Sequence, residues 1–308
     1  MTARSGERGL IDFIQNTVDG VMFGSSYALL AIGFTIVFGV MRRLNLAFGA
    51  SIMLGAYIGT WLHVHYQVHV LVVALTTVAG TVLVGIYVER LCFHAVRRDA
   101  ALASMVSSFV IWMQLEEAAI HLLPERTYAF PGLFAAGSYE AGPFLFRTEQ
   151  TAMLVLAAVM VGALHLLLHR TRFGLALRAM SENPQAAAYM GIHGAWTVLC
   201  AFALMSLVGG VAGYAILATD QQITPFFGLW ATFKGLIAMM LGGMGSLPGA
   251  ILGGLLLGVV EAHALWYLGA DYRDLSAFLL LFAMLVSRPG GLLGQRILSR
   301  EELAFRRV

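Results

Sequence analysis

Long runs of apolar residues, separated by short basic clusters, recur from one end of the chain to the other. Residues 20–41 carry no charge, nor do residues 46–62 after the Arg42-Arg43 pair, nor residues 70–88 before Glu89-Arg90. Residues 100–123 are apolar apart from Glu116, Glu117 and His121, and nothing stronger than histidine interrupts residues 151–169 and 194–219. A helix rises 1.5 Å per residue and a hydrocarbon core is about 30 Å thick, so uncharged runs of roughly 17–25 residues predict membrane helices. From residue 222 to residue 260 the only charge is Lys234. That length exceeds one helix and falls short of two, which predicts one full helix plus a broken or re-entrant element. The break is expected at GGMGSLPG, residues 242–249, where glycine and Pro248 stop helix propagation. Residues 272–287 form the last candidate, which must be short or let Arg273 and its neighbours snorkel to the interface. The predicted fold is all-α: a polytopic membrane protein of about eight or nine membrane helices, with residues 1–308 forming a single transmembrane domain.

Composition agrees with this pattern. The chain is 59% hydrophobic and 12% charged, with a mean hydropathy of +0.80, against about 25% charged residues in a soluble domain. No stretch is left over for a soluble catalytic domain. A net charge of +2 is too small to imply nucleic-acid binding. Cys92 and Cys200 have no CxxC or Cys/His spacing, so free buried thiols are expected rather than a disulfide or a zinc site. The N-terminus shows no apolar segment before a small-residue cleavage site, and no cleavable signal peptide is expected.

Arginine placement orients the spans, because short basic loops stay in the cytoplasm. Arg42-Arg43, Arg90 to Arg98, Arg170 to Arg178 and the tail after Arg288 are expected inside, and the mixed-charge segment 124–150 outside. With nine spanning elements the N-terminus lies outside and the C-terminus inside, although Arg4 and Arg8 weigh against the former. Glycines at four-residue spacing, Gly20/Gly24, Gly209/Gly213, Gly245/Gly249/Gly253 and Gly254/Gly258, predict closely packed helix faces.

Glu116, Glu117 and Glu261 are the carboxylates expected at membrane depth, where a charge is costly and marks a functional candidate. Adjacent residues point about 100° apart, so Glu116 and Glu117 cannot share one narrow path. They sit near the outer interface, pair with a neighbouring helix, or touch substrate. Lys234 pairs with one of these carboxylates or snorkels. His63, His65 and His69 would bind a metal only in an extended segment with a further ligand, so no metal site is assigned.

The one long polar segment, HRTRFGLALRAMSENPQAAAYMGIHG, residues 169–194, follows a helical logic of its own. Ser181 or Asn183 can cap a helix with Pro184 in its first turn, Ala186, Ala187 and Ala188 propagate it, and Gly191 ends it. The result is a short surface helix flanked by Arg170, Arg172 and Arg178: an amphipathic connector at the head groups, or a docking site for a partner.

The segment resembles the cytoplasmic coupling loop of permeases in the branched-chain amino acid and ribose ABC importer superfamily. Thr171, Phe173, Gly174, Leu177, Arg178, Ala179, Pro184, Ala187, Ala188, Gly191 and Ile192 carry the likeness. YALLAIGFTIVFGVMRRLNLAFGASIMLGAYIG (27–59), GGMGSLPGAILGGLLLGVVE (242–261) and RPGGLLG (288–294) resemble LivH-type branched-chain amino acid permeases. One departure is Phe48, where the family usually has histidine in N-F-A-H-G.

The resemblance implies a permease subunit of a bacterial inner-membrane ABC importer, with its C-terminus cytoplasmic. Its expected partners are two cytoplasmic ATPase subunits, a second homologous permease or a copy of itself, and a periplasmic or lipid-anchored substrate-binding protein. Residues 170–193 then form the ATPase-docking loop, with Thr171, Arg172, Phe173, Gly174, Arg178, Ala179, Glu182, Pro184, Ala187 and Gly191 as its contacts. Asn45, Glu116 and Glu261 are the candidates for the translocation path. No phosphate-binding loop is present, so the chain is expected to be neither an enzyme nor a cofactor protein, with ATP hydrolysed by its partners. Within the class, a permease for urea, short amides or a ribose-type sugar is the alternative. Outside it, the alternative is a secondary transporter or channel, which would need no docking loop.

Overall fold

The computed structural model describes residues 2–95, 101–122, 127–132 and 137–294. Arg97, Arg98, Glu125, Arg126 and the tail beyond Gly294, all used above to orient the chain, lie outside these residues. The described chain is an all-α membrane bundle: α1 (Thr2–Met41), α2 (Phe48–Tyr66), α3 (Val70–Val88), α4 (Ala101–Leu122), α5 (Thr148–Arg170), α6 (Arg172–Glu182), α7 (Pro184–Tyr189), α8 (Gly194–Asp220), α9 (Phe227–Gly242), α10 (Leu247–Tyr267) and α11 (Tyr272–Ser287). Five helical stretches within α1, α3 with its extension, α5, α8 and α10 are long and apolar enough to cross a bilayer. α9 is apolar and shorter.

Most expected spans coincide with helices to within a few residues, and the departures have local causes. α1 starts 18 residues before the apolar run at residue 20, at Thr2. The helix continues through the polar stretch before Gly20, where Gln15 bonds Asp19 at 3.1 Å. α3 runs on into a π-helical turn, Glu89–His94, so the basic cluster there begins inside a helix. The expected break falls at residues 243–246: Gly243 and Gly245 adopt φ of 109° and 85°, and Ser246 caps α10 by accepting from the Gly249 amide at 3.2 Å.

The described residues of segment 124–150 are more structured than its polarity implied. β2 (Ser138–Ala141) and β3 (Phe144–Arg147) form a hairpin, and β1 (Tyr128–Ala129) pairs antiparallel with β4 (Gln222–Ile223) just after α8. Phe130 N donates to Gln221 O at 3.0 Å, so this segment is strapped to the end of α8.

The glycine spacings mark where backbones meet. A Cβ on Gly24 would lie 2.9 Å from the Gly254 carbonyl, and one on Gly258 would enter the Gly24 backbone, so the two glycine pairs form one α1–α10 seam. Gly209 and Gly213 receive Phe48 and Ile52 of α2. Phe48, the residue in place of the family's histidine, is 1% exposed and stacks edge-on to Phe34 at 4.8 Å. Arg43 is buried too: its Nη1 donates to Ser104 Oγ at 2.6 Å, which ties the link between α1 and α2 to α4.

Candidate functional site

Two constellations emerge, one at each end of the bundle. At the end holding Met41 and Arg170, α5 turns sharply into α6. The Thr171 hydroxyl caps α6 by accepting from the Gly174 amide at 3.1 Å while donating to Leu167 O at 2.6 Å. A Cβ on Gly174 would run into the Leu168 carbonyl, so glycine permits this corner. The Asn183 side chain accepts from the Gln185 and Ala186 amides, each at 3.0 Å, and Pro184 takes the first helical position of α7. Ser181, the other cap considered, instead donates to Arg178 O at 2.8 Å. Gly191, at φ 84°, closes α7, with Ile192 N bonded to Ala187 O at 3.1 Å.

Gly174, Leu177, Met180 and Ala187 are buried against the bundle, with Phe173 and Ala179 half-buried. Arg172, Arg178, Glu182, Pro184 and Gly191 are exposed, and so are two residues the sequence reading passed over, Tyr189 and Met190. Their signal was available: large apolar side chains following an alanine run on a helix too short to bury them. A notch of about 230 Å³ separates Met180–Pro184 from Val40, Met41 and Arg42 at the end of α1.

Toward the other end lies a buried ionic centre. Glu261 of α10 accepts from Lys234 Nζ at 2.5 Å, from Arg273 Nε at 3.0 Å and from the Tyr27 hydroxyl at 2.7 Å. Lys234 also reaches Asp274 at 2.7 Å, and Arg273 Nη2 donates to Tyr27 Oη at 2.9 Å. Two cations thus meet two carboxylates on three helices, α9, α10 and α11, with Tyr27 of α1 joining them. Lys234 and Glu261 are 3% and 2% exposed, a burial that only such pairing makes tolerable. The Tyr27 and Trp230 rings lie 5.9 Å from Lys234 Nζ, and Phe23 lies 4.9 Å from the Arg273 guanidinium.

Glu261 and Lys234 were both named from sequence, and the structure pairs them. Arg273 does not snorkel outward but turns inward, because the Glu261 carboxylate and the Tyr27 hydroxyl offer it two acceptors in one place. A cavity of about 260 Å³ adjoins the centre, lined by Asp220, Gln222, Thr224, Phe226, Phe227, Trp230 and Arg273.

Asn45 and Glu116 are placed elsewhere. Asn45 is 3% exposed and its Oδ1 accepts from the Ala47 amide at 3.1 Å, turning the chain into α2. Glu116 is half-buried on α4, and exposed Glu117 pairs with His121 at 3.0 Å. Neither Asn45 nor Glu116 bonds to the ionic centre among the described residues. His63 and His65 sit in the last turns of α2, not in an extended segment, and His69 caps α3. Among the described residues no cluster of side chains suited to a metal ion is found.

Residues 16–287 match the family described as branched-chain amino acid transport system / permease component. The high-affinity branched-chain amino acid transport system permease protein LivH of Salmonella typhimurium is 31% identical over 295 residues, covering 92% of this chain and 96% of that protein. Permease protein BraD of Pseudomonas aeruginosa is 32% identical with the same coverage. Among solved structures, PsaBC from Streptococcus pneumoniae aligns at a TM-score of 0.51 and 13% identity over 94% of this chain and 95% of that one, a likeness of fold alone. With the family model matching residues 16–287 and two relatives near one-third identical over almost the whole chain, this protein belongs to the permease components of branched-chain amino acid transport systems.

Proposed function

We propose that this chain is the transmembrane permease subunit of an ABC importer, moving branched-chain or related amino acids across the inner membrane. The whole chain serves as one permease domain with the C-terminus and the α6–α7 corner cytoplasmic. ATP is hydrolysed by two cytoplasmic ATPase subunits, a second permease or a copy of this chain completes the path, and a separate binding protein delivers cargo. The observation that carries this reading is the corner itself. Two successive short helices, α6 capped by Thr171 and α7 capped by Asn183, present Arg172, Arg178, Glu182, Tyr189 and Met190 at one end of a bundle from this family. A rigid, exposed, mixed basic and apolar surface suits a protein partner better than a simple connector would require.

Asn45, Glu116 and Glu261 remain the candidates for the path, and the pairing of Glu261 makes it the strongest of the three. The docking reading is tested by co-purification: Arg178→Glu or Gly174→Trp is expected to leave membrane insertion intact and abolish recovery of the ATPase subunits. Undiminished recovery in both variants removes the docking role.

A further inference from the structure

The cavity beside the ionic centre has the chemistry of a zwitterion site. Arg273 and Asp220 both line its wall, and each is within electrostatic reach of the other. No direct ion pair joins Asp220 to any described residue, whereas Arg273 pairs only with Glu261. The two opposite charges therefore line one cavity without pairing with each other.

What holds Arg273 is also what aims it. Its Nε is committed to Glu261 and its Nη2 to Tyr27, which fixes the plane of the guanidinium and leaves Nη1 without a bond among the described residues. The side chain is 31% exposed and lines the cavity. A guanidinium edge is matched to a carboxylate. Asp220, exposed at the C-terminal end of α8, is matched to an ammonium. Phe226, Phe227 and Trp230 supply apolar wall around them. The volume, about 260 Å³, lies below the range of about 300–1,000 Å³ that holds drug-sized ligands.

We infer that this cavity is a substrate subsite for an apolar α-amino acid, with Arg273 binding the α-carboxylate, Asp220 the α-ammonium, and Trp230, Phe226 and Phe227 the side chain. The inference rests on the amino-acid reading given above and adds the residues that touch the cargo. It also assigns the buried centre a role. Lys234, Glu261 and Tyr27 are positioning residues, which keep Arg273 immobile and neutralise it enough for burial while sparing one edge for the ligand.

Asp220 is the side chain to test, because it takes no part in the buried network and its replacement leaves the packing intact. The complete importer, with its ATPases, binding protein and paired permease, is reconstituted in proteoliposomes, and L-leucine uptake and ATP hydrolysis are measured together. Asp220→Asn is expected to lower leucine uptake per ATP hydrolysed about tenfold, the loss expected for one charge-assisted bond, while binding-protein-stimulated hydrolysis continues. Asp220→Glu restores at least half of the uptake. Uptake per ATP within twofold of wild type in Asp220→Asn overturns the subsite. So does a parallel loss of uptake and hydrolysis, which would make Asp220 a residue of assembly. A wild-type complex that hydrolyses ATP with its binding protein yet moves no α-amino acid fails at an earlier point, and sinks the amino-acid reading itself.

Discussion

The Leu293 amide donates to the Gly242 carbonyl at 2.9 Å, and the Leu292 amide makes the same bond to Leu241. Two glycine-rich motifs that lie far apart in sequence, GGMGS and RPGGLLG, are thereby one structural unit. The chain after α11 folds back to satisfy carbonyls at the end of α9, which no further helical turn can reach. Gly243, at φ 109°, meets the backbones of Gly290 and Gly294. Gly243→Val is expected to expel the Leu292–Leu293 segment, read as faster hydrogen exchange at those two amides with the exchange of α1 unchanged.

The α1–α10 seam gives a second expectation. Gly254→Leu must push Ala28 and Tyr27 away, and overpacking of this kind costs about 1–3 kcal/mol. A lower melting temperature of the detergent-solubilised protein should follow. Gly162→Leu, placed where a Cβ meets nothing within 4 Å, should leave it unchanged.

The buried centre predicts an asymmetric response. Glu261→Gln strands Lys234 and Arg273 with only Asp274 and Tyr27 as partners, and breaking a buried pair from one side costs about 3–5 kcal/mol. Adding Lys234→Met to that variant removes one stranded cation and should recover part of the loss. Thermal unfolding of the single and double variants checks this, and a double variant less stable than Glu261→Gln would contradict it.

At the corner, Asn183→Ala removes the acceptor for two amides and should cost about 1 kcal/mol of local helix stability. Exchange at Gln185 and Ala186 should quicken about fivefold. ATPase recovery should weaken, but less than in Arg178→Glu, which removes a contact rather than a support.

Much of this architecture is legible in the sequence. Helices announce themselves through uncharged runs of bilayer length, and the break at residues 243–246 through glycine and Pro248, because both signals are local. Glu261 and Lys234 stood out because a lone charge in an apolar run has no neutral explanation. Arg273 was expected to snorkel, and Asp274 and Asp220 did not stand out, since each sits at a helix end where charges are commonplace. Only the fold shows Arg273 turned inward and Asp220 facing a cavity. Tyr27 was hidden for the opposite reason, as one aromatic among many in an apolar helix. The strand pairing of Tyr128–Ala129 with Gln222–Ile223 joins segments too distant for any local pattern to connect.

α1 is one uninterrupted helix from Thr2 to Met41. It supplies Tyr27 to the ionic centre and Val40 and Met41 to the wall of the notch, about 20 Å further along the same rod. Such a rod works as a lever of fixed length: on the function proposed above, a stroke delivered at the α6–α7 corner would arrive undiminished at the ionic centre. Drive and selectivity then share a mechanical part, so substitutions that retune one along α1 will show up in the timing of the other.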